Sequence, residues 1–532
     1  MVEEPAVGIF RRARYTGVFA VFMLLLLFCP FASAETLADI DAEIQTDKTI
    51  RSHRPGLDAY NIYDGVTNVR LDRKITILQA AGIHPRFYQN SAGVTDYTNF
   101  YSFTGLTGVT DSKLDLVTTT SVQRLYRRGS SGYQEASGFL GSWWGDKYRG
   151  IQASRDEQAI LAAWGSDLQR IYVIDVPAGY SLVGGIASPM EKDGEYRRGG
   201  AYQYYYRGAP ASWLVYALYA PDYLQSYAGA ITGAQRAARG VAADLALQLN
   251  QTRYAGGIIP DGGEFWLRGF SDNTDYREHD NSAVNSQSGG LSLGWQRLTS
   301  GGNPADKSRA YFGLMAATGS NLQKYASQVE TKTQATVGGI FGLYVNRPDS
   351  ARSWYGHWSL LHGGLTLNNT VPGERGYGLK QEYNGNITVL TLENGVTFRQ
   401  KYGWALEPQL QLSYTKVGQA DFVDKLGAPV SMKQGDSFWV RLGLEARRTM
   451  VHTSRRQSSY WGRISYRQPF SGRNEIDVAG DRATSEAGRS SWQLGLGADL
   501  QLSRQWNLQA ELTQLFGGET GFQGNLALKL NW

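Results

Sequence analysis

From Glu264 to the end of the chain, apolar and polar positions alternate in short segments. Between Trp492 and Leu502, the residues Trp492, Leu494, Leu496, Ala498, Leu500 and Leu502 share one parity. Gln493, Gly495, Gly497, Asp499 and Gln501 share the other. A period of two sends successive side chains to opposite faces of a strand, so one face is lipid-like and the other is wet or small. The pattern recurs in "EFWLRGF", "GGLSLGWQRL", "RAYFGLMAA", "QATVGGIFGLYV", "SWYGHWSLL", "NITVLTLENGVTFR", "YGWALEPQLQLSY", "SFWVRLGLEARR", "SYWGRISYR", "SWQLGLGADLQL", "RQWNLQAELTQ" and "NLALKLNW", twelve segments parted by Gly, Asn, Asp and Ser. An even number of strands of about ten residues is the pattern of an outer-membrane barrel. Trp266, Trp354, Tyr355, Trp404, Trp439, Tyr460, Trp461, Trp492 and Trp506 stand near segment ends, which predicts an interfacial girdle. The alternative is a soluble all-β barrel or sandwich, with the same alternation turned apolar side inward.

Residues 228 to 251, "AGAITGAQRAARGVAADLALQLNQ", precede these segments and are rich in Ala, Gln and Leu, which favour helix. Twenty such residues rise about 30 Å, the thickness of a bilayer core. Arg236, Arg239 and Asp244 keep this helix out of lipid. It is expected to run through a polar barrel lumen, with an amphipathic surface helix as the alternative.

The start of the chain reads as a targeting segment. Arg11, Arg12 and Arg14 precede an apolar run from about Val18 to Phe31, and "FASA" supplies a small-x-small cleavage pattern ending at Ala34. That is the pattern of a secretory signal peptide; an uncleaved anchor is the alternative. The only cysteine, Cys29, lies inside it, so disulfides, thiol catalysis and Cys-zinc sites are excluded from the mature chain. The six histidines show no metal-ligand spacing, and no metal is expected. A net charge of +5 over 532 residues gives no case for nucleic-acid binding.

Between leader and helix lie about 190 residues with no fixed-period repeat. "LADIDAEIQ" and "RLDRKITILQAAGI" read as helices. Farther on, the β-branched run "TTTSVQR" leads into Leu125-Tyr126-Arg127, which places Arg127 at a strand end. A semi-buried arginine there offers a rigid, permanently charged fork of donors suited to phosphate. "QRIYVIDV" reads as a strand, and Glu191 and Glu195 fall in a loop before the aromatic run Tyr202 to Tyr206.

Leader, passenger, helix, twelve strands and the terminal aromatic Trp532, in that order, resemble an autotransporter. "YGWALEPQLQLSYTKVGQADF" (402–422) is similar to the most repeated stretch of that family's barrel. The resemblance covers about residues 228 to 532. It implies a signal peptide over 1–34, a passenger over 35–227, a linker helix over 228–258 and a barrel over 259–532. It also implies dealings with outer-membrane lipid and the barrel-assembly machinery.

Within the passenger, Tyr126-Arg127, Ser130, the stretch Gly138 to Gly145, the strand Ile171 to Ile174, Glu195, Gly199-Gly200 and Tyr202 to Tyr206 resemble, in order, the ADP-ribosyltransferase toxins of the cholera and pertussis type. The resemblance spans about Val122 to Arg207 and implies an α+β domain over 119–227, with residues 35–118 left without an assigned role. Ser154 stands where the family carries a serine triplet. The resemblance further implies NAD as substrate and a host protein as acceptor. Glu195 would be catalytic, with Glu191 orienting the acceptor and Ser154 supporting the pocket, and Arg127 would bind the cofactor beside Tyr126 and Ser130. Cleavage of the nicotinamide–ribose bond builds positive charge on the ribose carbon, as in glycoside hydrolysis, and a carboxylate beside it stabilises that charge. The plainer alternatives are a surface cation for Arg127 and a solvated loop charge for Glu195. At the level of function they are a non-catalytic adhesin or serum-resistance passenger, and an NAD glycohydrolase.

Overall fold

The computed structural model describes residues 115–131, 143–187, 190–192, 194–206, 209–254, 263–278, 282–300, 308–453, 456–486, 488–503 and 505–531, with two short paired strands at Tyr88–Gln89 and Thr95–Asp96. The leader, both helices expected between residues 37 and 83, Gly138 to Ser142 and Trp532 lie outside the described residues. The chain divides into two compact units, residues 1–115 with 185–189, and residues 116–184 with 190–532.

Twelve antiparallel strands of the second unit close into a barrel. They are Glu264–Arg277, Ala283–Ser300, Ser308–Tyr325, Glu330–Asn346, Arg352–Val371, Leu379–Arg399, Trp404–Gly418, Asp436–Thr453, Arg456–Ser471, Ser491–Gln501, Trp506–Gly517 and Glu519–Asn531. The first and last strands pair with each other from Glu264↔Asn531 to Tyr276↔Glu519, which removes the free sheet edge that water cannot satisfy in a bilayer. All twelve alternating segments of the sequence are strands, and in most the apolar parity points outward. In Glu330–Asn346 the apolar set Ala335, Val337, Phe341, Leu343 and Val345 is buried on the lumen side, in the core it shares with the helix. Leu494 and Leu496 are 48% and 65% exposed, while Gln493, between Trp492 and Leu494, is 9% exposed. That orientation rules out the soluble alternative, in which the leucines would be the buried set.

The same periodicity corrects the girdle. Trp354, Trp404, Tyr460, Trp492 and Trp506 face outward, but Trp266, Tyr355, Trp439 and Trp461 are buried in the lumen. Tyr355 follows Trp354 and Trp461 follows Tyr460, and neighbours on a strand cannot share a face.

The helix fills the lumen over Ala220–Thr252, beginning eight residues before the expected start. Pro221 and Asp222 occupy its first turn, where a missing N–H is harmless and a negative charge meets the helix dipole. Its 33 residues rise about 50 Å, more than a bilayer core. It lies mainly against the strands from Glu264–Arg277 through Trp404–Gly418. Small residues permit the close approach: a Cβ on Gly319 of the barrel wall would sit 3.1 Å from the Ala237 carbonyl oxygen. Buried charges pair across the contact. Asp244 accepts from Arg268 at 2.8 Å and from Ser292 at 2.6 Å, and Arg253 donates to Glu407 at 2.6 and 2.7 Å.

Upstream of the helix stands a seven-stranded sheet in the order Leu214–Tyr219, Arg170–Val176, Gln123–Gly129, Trp143–Gly145, Tyr202–Tyr205, Ser181–Ile186, Asp115–Thr118. One short helix, Ile151–Glu157, accompanies it. At the barrel rim where the long helix begins, two long hairpins form a separate four-stranded sheet from Phe422–Val423, Pro429–Gln434, Arg473–Val478 and Asp481–Glu486.

Candidate functional site

The strand Gln123–Gly129 sets the geometry of the sequence-predicted site. It is an interior strand, paired with Arg170–Val176 throughout, so Arg127 lies in mid-strand and not at a strand end. Alternation divides its side chains. Leu125 and Arg127 stand opposite Ile174 and Tyr172, which belong to a core on the outer face of the sheet. Tyr126 and Arg128 stand opposite Val173 and Ile171, which belong to a core that runs on into the long helix and the rim hairpins.

Arg128, not Arg127, is therefore the buried arginine. Its guanidinium donates to Asp481 of the rim hairpin at 2.6 Å, to the Tyr148 hydroxyl at 2.8 Å and to the carbonyls of Arg149 and Leu168 at 3.2 and 3.3 Å. Asp481 also accepts the Ile151 backbone N–H at 2.7 Å. Gly150 makes this approach possible: a Cβ there would meet the Ala479 carbonyl oxygen at 2.6 Å and Asp481 Oδ1 at 2.8 Å.

Further ties join sheet and rim. The Ala217 N–H donates to the Tyr377 carbonyl at 2.9 Å beside a bridge between Leu218 and Gly373. Arg170 pairs with Glu374. Arg124 is held bidentate by Asp175 and reaches the Lys425 carbonyl at 3.1 Å. Burial raises the pKa of both Tyr126, which stands edge-on to Tyr148, and Tyr148 itself. One loop side chain organises the mouth below: Asp424 accepts from Tyr223 and Tyr227 of the helix and from its own loop amides Leu426 and Ala428.

The other predicted residues are placed as follows. Glu191 and Glu195 lie on a two-stranded hairpin, Met190–Lys192 with Glu195–Arg197, and not in an irregular loop. The Glu195 carboxylate accepts the Ala163 N–H at 3.1 Å and pairs with Arg197 at 2.6 Å, which also reaches Asp156 at 2.7 Å. Backbone N–H donors at Ala162, joined by Arg197 and Ala163, hold its pKa down to about 2. Ser154 is buried in the helix Ile151–Glu157, its hydroxyl 3.5 Å from the Arg149 carbonyl. Ser130 directly follows the strand, and its neighbour Ser131 is tied to Asp167. Tyr126 thus attends the junction with the barrel, where a Cβ on Gly427 would sit 2.8 Å from its hydroxyl, whereas Ser154 is held beside Arg149 and Glu195 closes a turn at Ala162–Trp164. Neither Arg127 nor Glu195 lines the lumen cavities or the cavity of about 860 Å3 that Ile151, Gln169, Asp222 and Asp481 help to form at the mouth.

Asp481 and Asp424 escaped the sequence reading because hairpin loops carry no periodicity. One signal was available: Gly480 in "DVAGDR" is the residue type that a tight turn favours, and in the structure Ala479 and Gly480, at φ of 52° and 91°, form the two-residue turn of a hairpin. A strand pair beyond the barrel strands was readable there, but its partner was not.

Residues 265–513 match the family described as Autotransporter beta-domain. The chain is similar to the pertactin autotransporter of Bordetella parapertussis, 26% identical over 255 residues, 48% of this chain and 27% of that protein. It is also similar to the adhesin BmaC autotransporter of Brucella suis, 25% identical over 244 residues, 38% of this chain and 7% of that protein. The chain thus spans about a quarter or less of the length of these relatives. Among solved structures, the beta domain of the Bordetella autotransporter Brka aligns at 20% identity over 51% of this chain and 100% of that one, with a TM-score of 0.42. The translocator domain of NalP from Neisseria meningitidis aligns at 14% identity over 57% and 99%, also with a TM-score of 0.42. The C-terminal half is an autotransporter beta-domain with a twelve-stranded barrel, set in the outer membrane of a Gram-negative bacterium, with the passenger displayed at the surface.

Proposed function

We propose that this outer-membrane autotransporter displays a compact passenger that stays seated on its own barrel and serves as a non-catalytic adhesive surface. The carrying observation is the buried pair of Arg128 and Asp481, which ties the passenger sheet to a barrel hairpin. An adhesin must pass load from its contact to the envelope. A continuous helix through the lumen, buried ion pairs along it and a shared core at its outer end supply that path. The adhesin among the related proteins agrees with this reading. Host-cell binding by bacteria displaying the chain, retained when Arg127 and Glu195 are both replaced, supports it. Binding lost with those two residues while display persists contradicts it.

A second reading, mono-ADP-ribosyl transfer from NAD to a host protein, is favoured by one observation. Glu195 is held ionised at ordinary pH, the state that stabilisation of a ribosyl cation requires. It is followed by Gly199 and Gly200, both at positive φ, and the aromatic strand Tyr202–Tyr205. In this reading Arg127 holds the cofactor phosphate, with Tyr126 and Ser130 beside it, Glu191 orients the acceptor and Ser154 supports the pocket. Labelled NAD incubated with the full chain and a host lysate tests it. Label transfer that Glu195→Gln abolishes supports transfer, nicotinamide release without transfer points to a glycohydrolase, and neither leaves the adhesive reading. Outer-membrane lipid and the barrel-assembly machinery are the further partners of either reading, with no part for nucleic acid or metal.

A further inference from the structure

The long helix does not fill the barrel evenly. It rests on the wall from Glu264–Arg277 to Trp404–Gly418. On its other side it leaves a cavity of about 80 Å3 against the remaining wall, lined by Arg239, Arg441, Arg463, Arg467, Asp272 and Glu511 among others. A smaller cavity of about 20 Å3 adjoins it at Arg239, Trp439 and Arg467 and leads to Gly488 and Arg489 at the outer rim. The inner end of the larger cavity reaches Asn250, in the last turns of the helix. Together they trace a narrow polar cleft along the helix.

The charges beside this cleft do not balance. Arg441 is answered by Glu393 at 2.8 Å and Arg463 by Glu511. Glu519 is shared: Arg236 donates to it at 2.9 Å and Arg467 also pairs with it. Arg239 stands 3.9 Å from the same Glu519 oxygen, with no other carboxylate within 4 Å among the described residues. Asp272, across the cavity, keeps one buried oxygen without a hydrogen-bond partner, and its other oxygen accepts from the Gln523 amide at 2.5 Å. Five arginines thus face four carboxylates, and the excess charge is the Arg239 guanidinium, facing the cleft at mid-helix. A narrow cleft with low-dielectric walls focuses such a charge, and arginines lining a pore favour anions.

We propose that the helix-filled barrel keeps a narrow path for small inorganic anions, with Arg239 as its selectivity-determining residue. Chloride passes between the helix and the wall formed by Asp436–Thr453 and Arg456–Ser471, and potassium is repelled. The full mature chain, folded into planar bilayers under a steep KCl gradient, gives a reversal potential on the chloride side. Arg239→Gln, shown to be folded by heat-modifiable gel mobility, brings that potential most of the way to zero, and Arg239→Lys restores it. A wild-type potential on the potassium side, an Arg239→Gln potential equal to that of the wild type, or no current through folded protein would each overturn the proposal.

Discussion

Arg128 and Asp481, 353 positions apart, meet at 2.6 Å with both side chains buried. One belongs to an interior strand of the passenger sheet and the other to a hairpin above the barrel rim. The pair makes the passenger a part of the barrel mouth, and its removal has a definite consequence. Removing one partner of a buried pair costs about 3–5 kcal/mol. Asp481→Ala should fall at the low end, because Arg128 keeps its bonds to Tyr148 and two carbonyls. The passenger of this variant should be cut by external protease on whole cells at much lower doses than wild type, while the barrel keeps its heat-modifiable mobility. Gly150→Val, which drives a side chain into the Ala479 carbonyl, should do the same.

Glu195 gives a prediction in pH. Its folded pKa of about 2 lies below the ordinary 4.5. Its contribution to stability is therefore complete above about pH 4.5 and is lost as pH falls toward 2. Glu195→Gln should lower the thermal midpoint of the passenger at pH 7, and the gap from wild type should close between pH 4.5 and 2. A gap of constant size across that window would assign the effect to packing.

In the lumen, Asp244 and Arg268 are fully buried against each other. Asp244→Leu alone strands the arginine and should cost about 3–5 kcal/mol in refolding into lipid. Adding Arg268→Met should recover most of that loss, since apolar replacement of a whole buried pair is often neutral.

The outward parity also has a price in lipid. Leu494→Arg, on the lipid face, should destabilise the barrel by about 2–4 kcal/mol if it lies near the bilayer midplane. Gln493→Glu, one residue earlier but facing the arginine-lined lumen, should change stability far less. Urea titration of the lipid-embedded barrel separates the two.

These contrasts explain what could be read from the chain. Each barrel strand meets lipid on one side and a polar lumen on the other, so a two-residue period writes the whole strand into the sequence, as Trp492 to Leu502 does. The girdle was half wrong because adjacency was read without parity: Trp354 faces lipid and Tyr355 the lumen. The same parity separates Arg127 from Arg128. Both are arginines in "LYRRG", and only the pairing with Tyr172 and Ile171 shows which of them turns toward the barrel. Asp481 and Asp424 act through partners about 200 to 350 positions away, a separation at which local pattern carries no information. The helix was visible in its Ala-rich stretch, but its first turns, Ala220 to Tyr227, lack that composition and are fixed by Tyr223 and Tyr227, packed into the junction.

The seating of the passenger on its own barrel is tested most directly by hydrogen exchange of two backbone amides in the full-length protein. Ile151 donates to Asp481 and Ala217 to the Tyr377 carbonyl, so each amide depends on contact between sheet and rim. The account predicts that both exchange as slowly as amides of the barrel strands, and that Asp481→Ala releases Ile151. Exchange of both at the rate of open peptide in the wild type would contradict it.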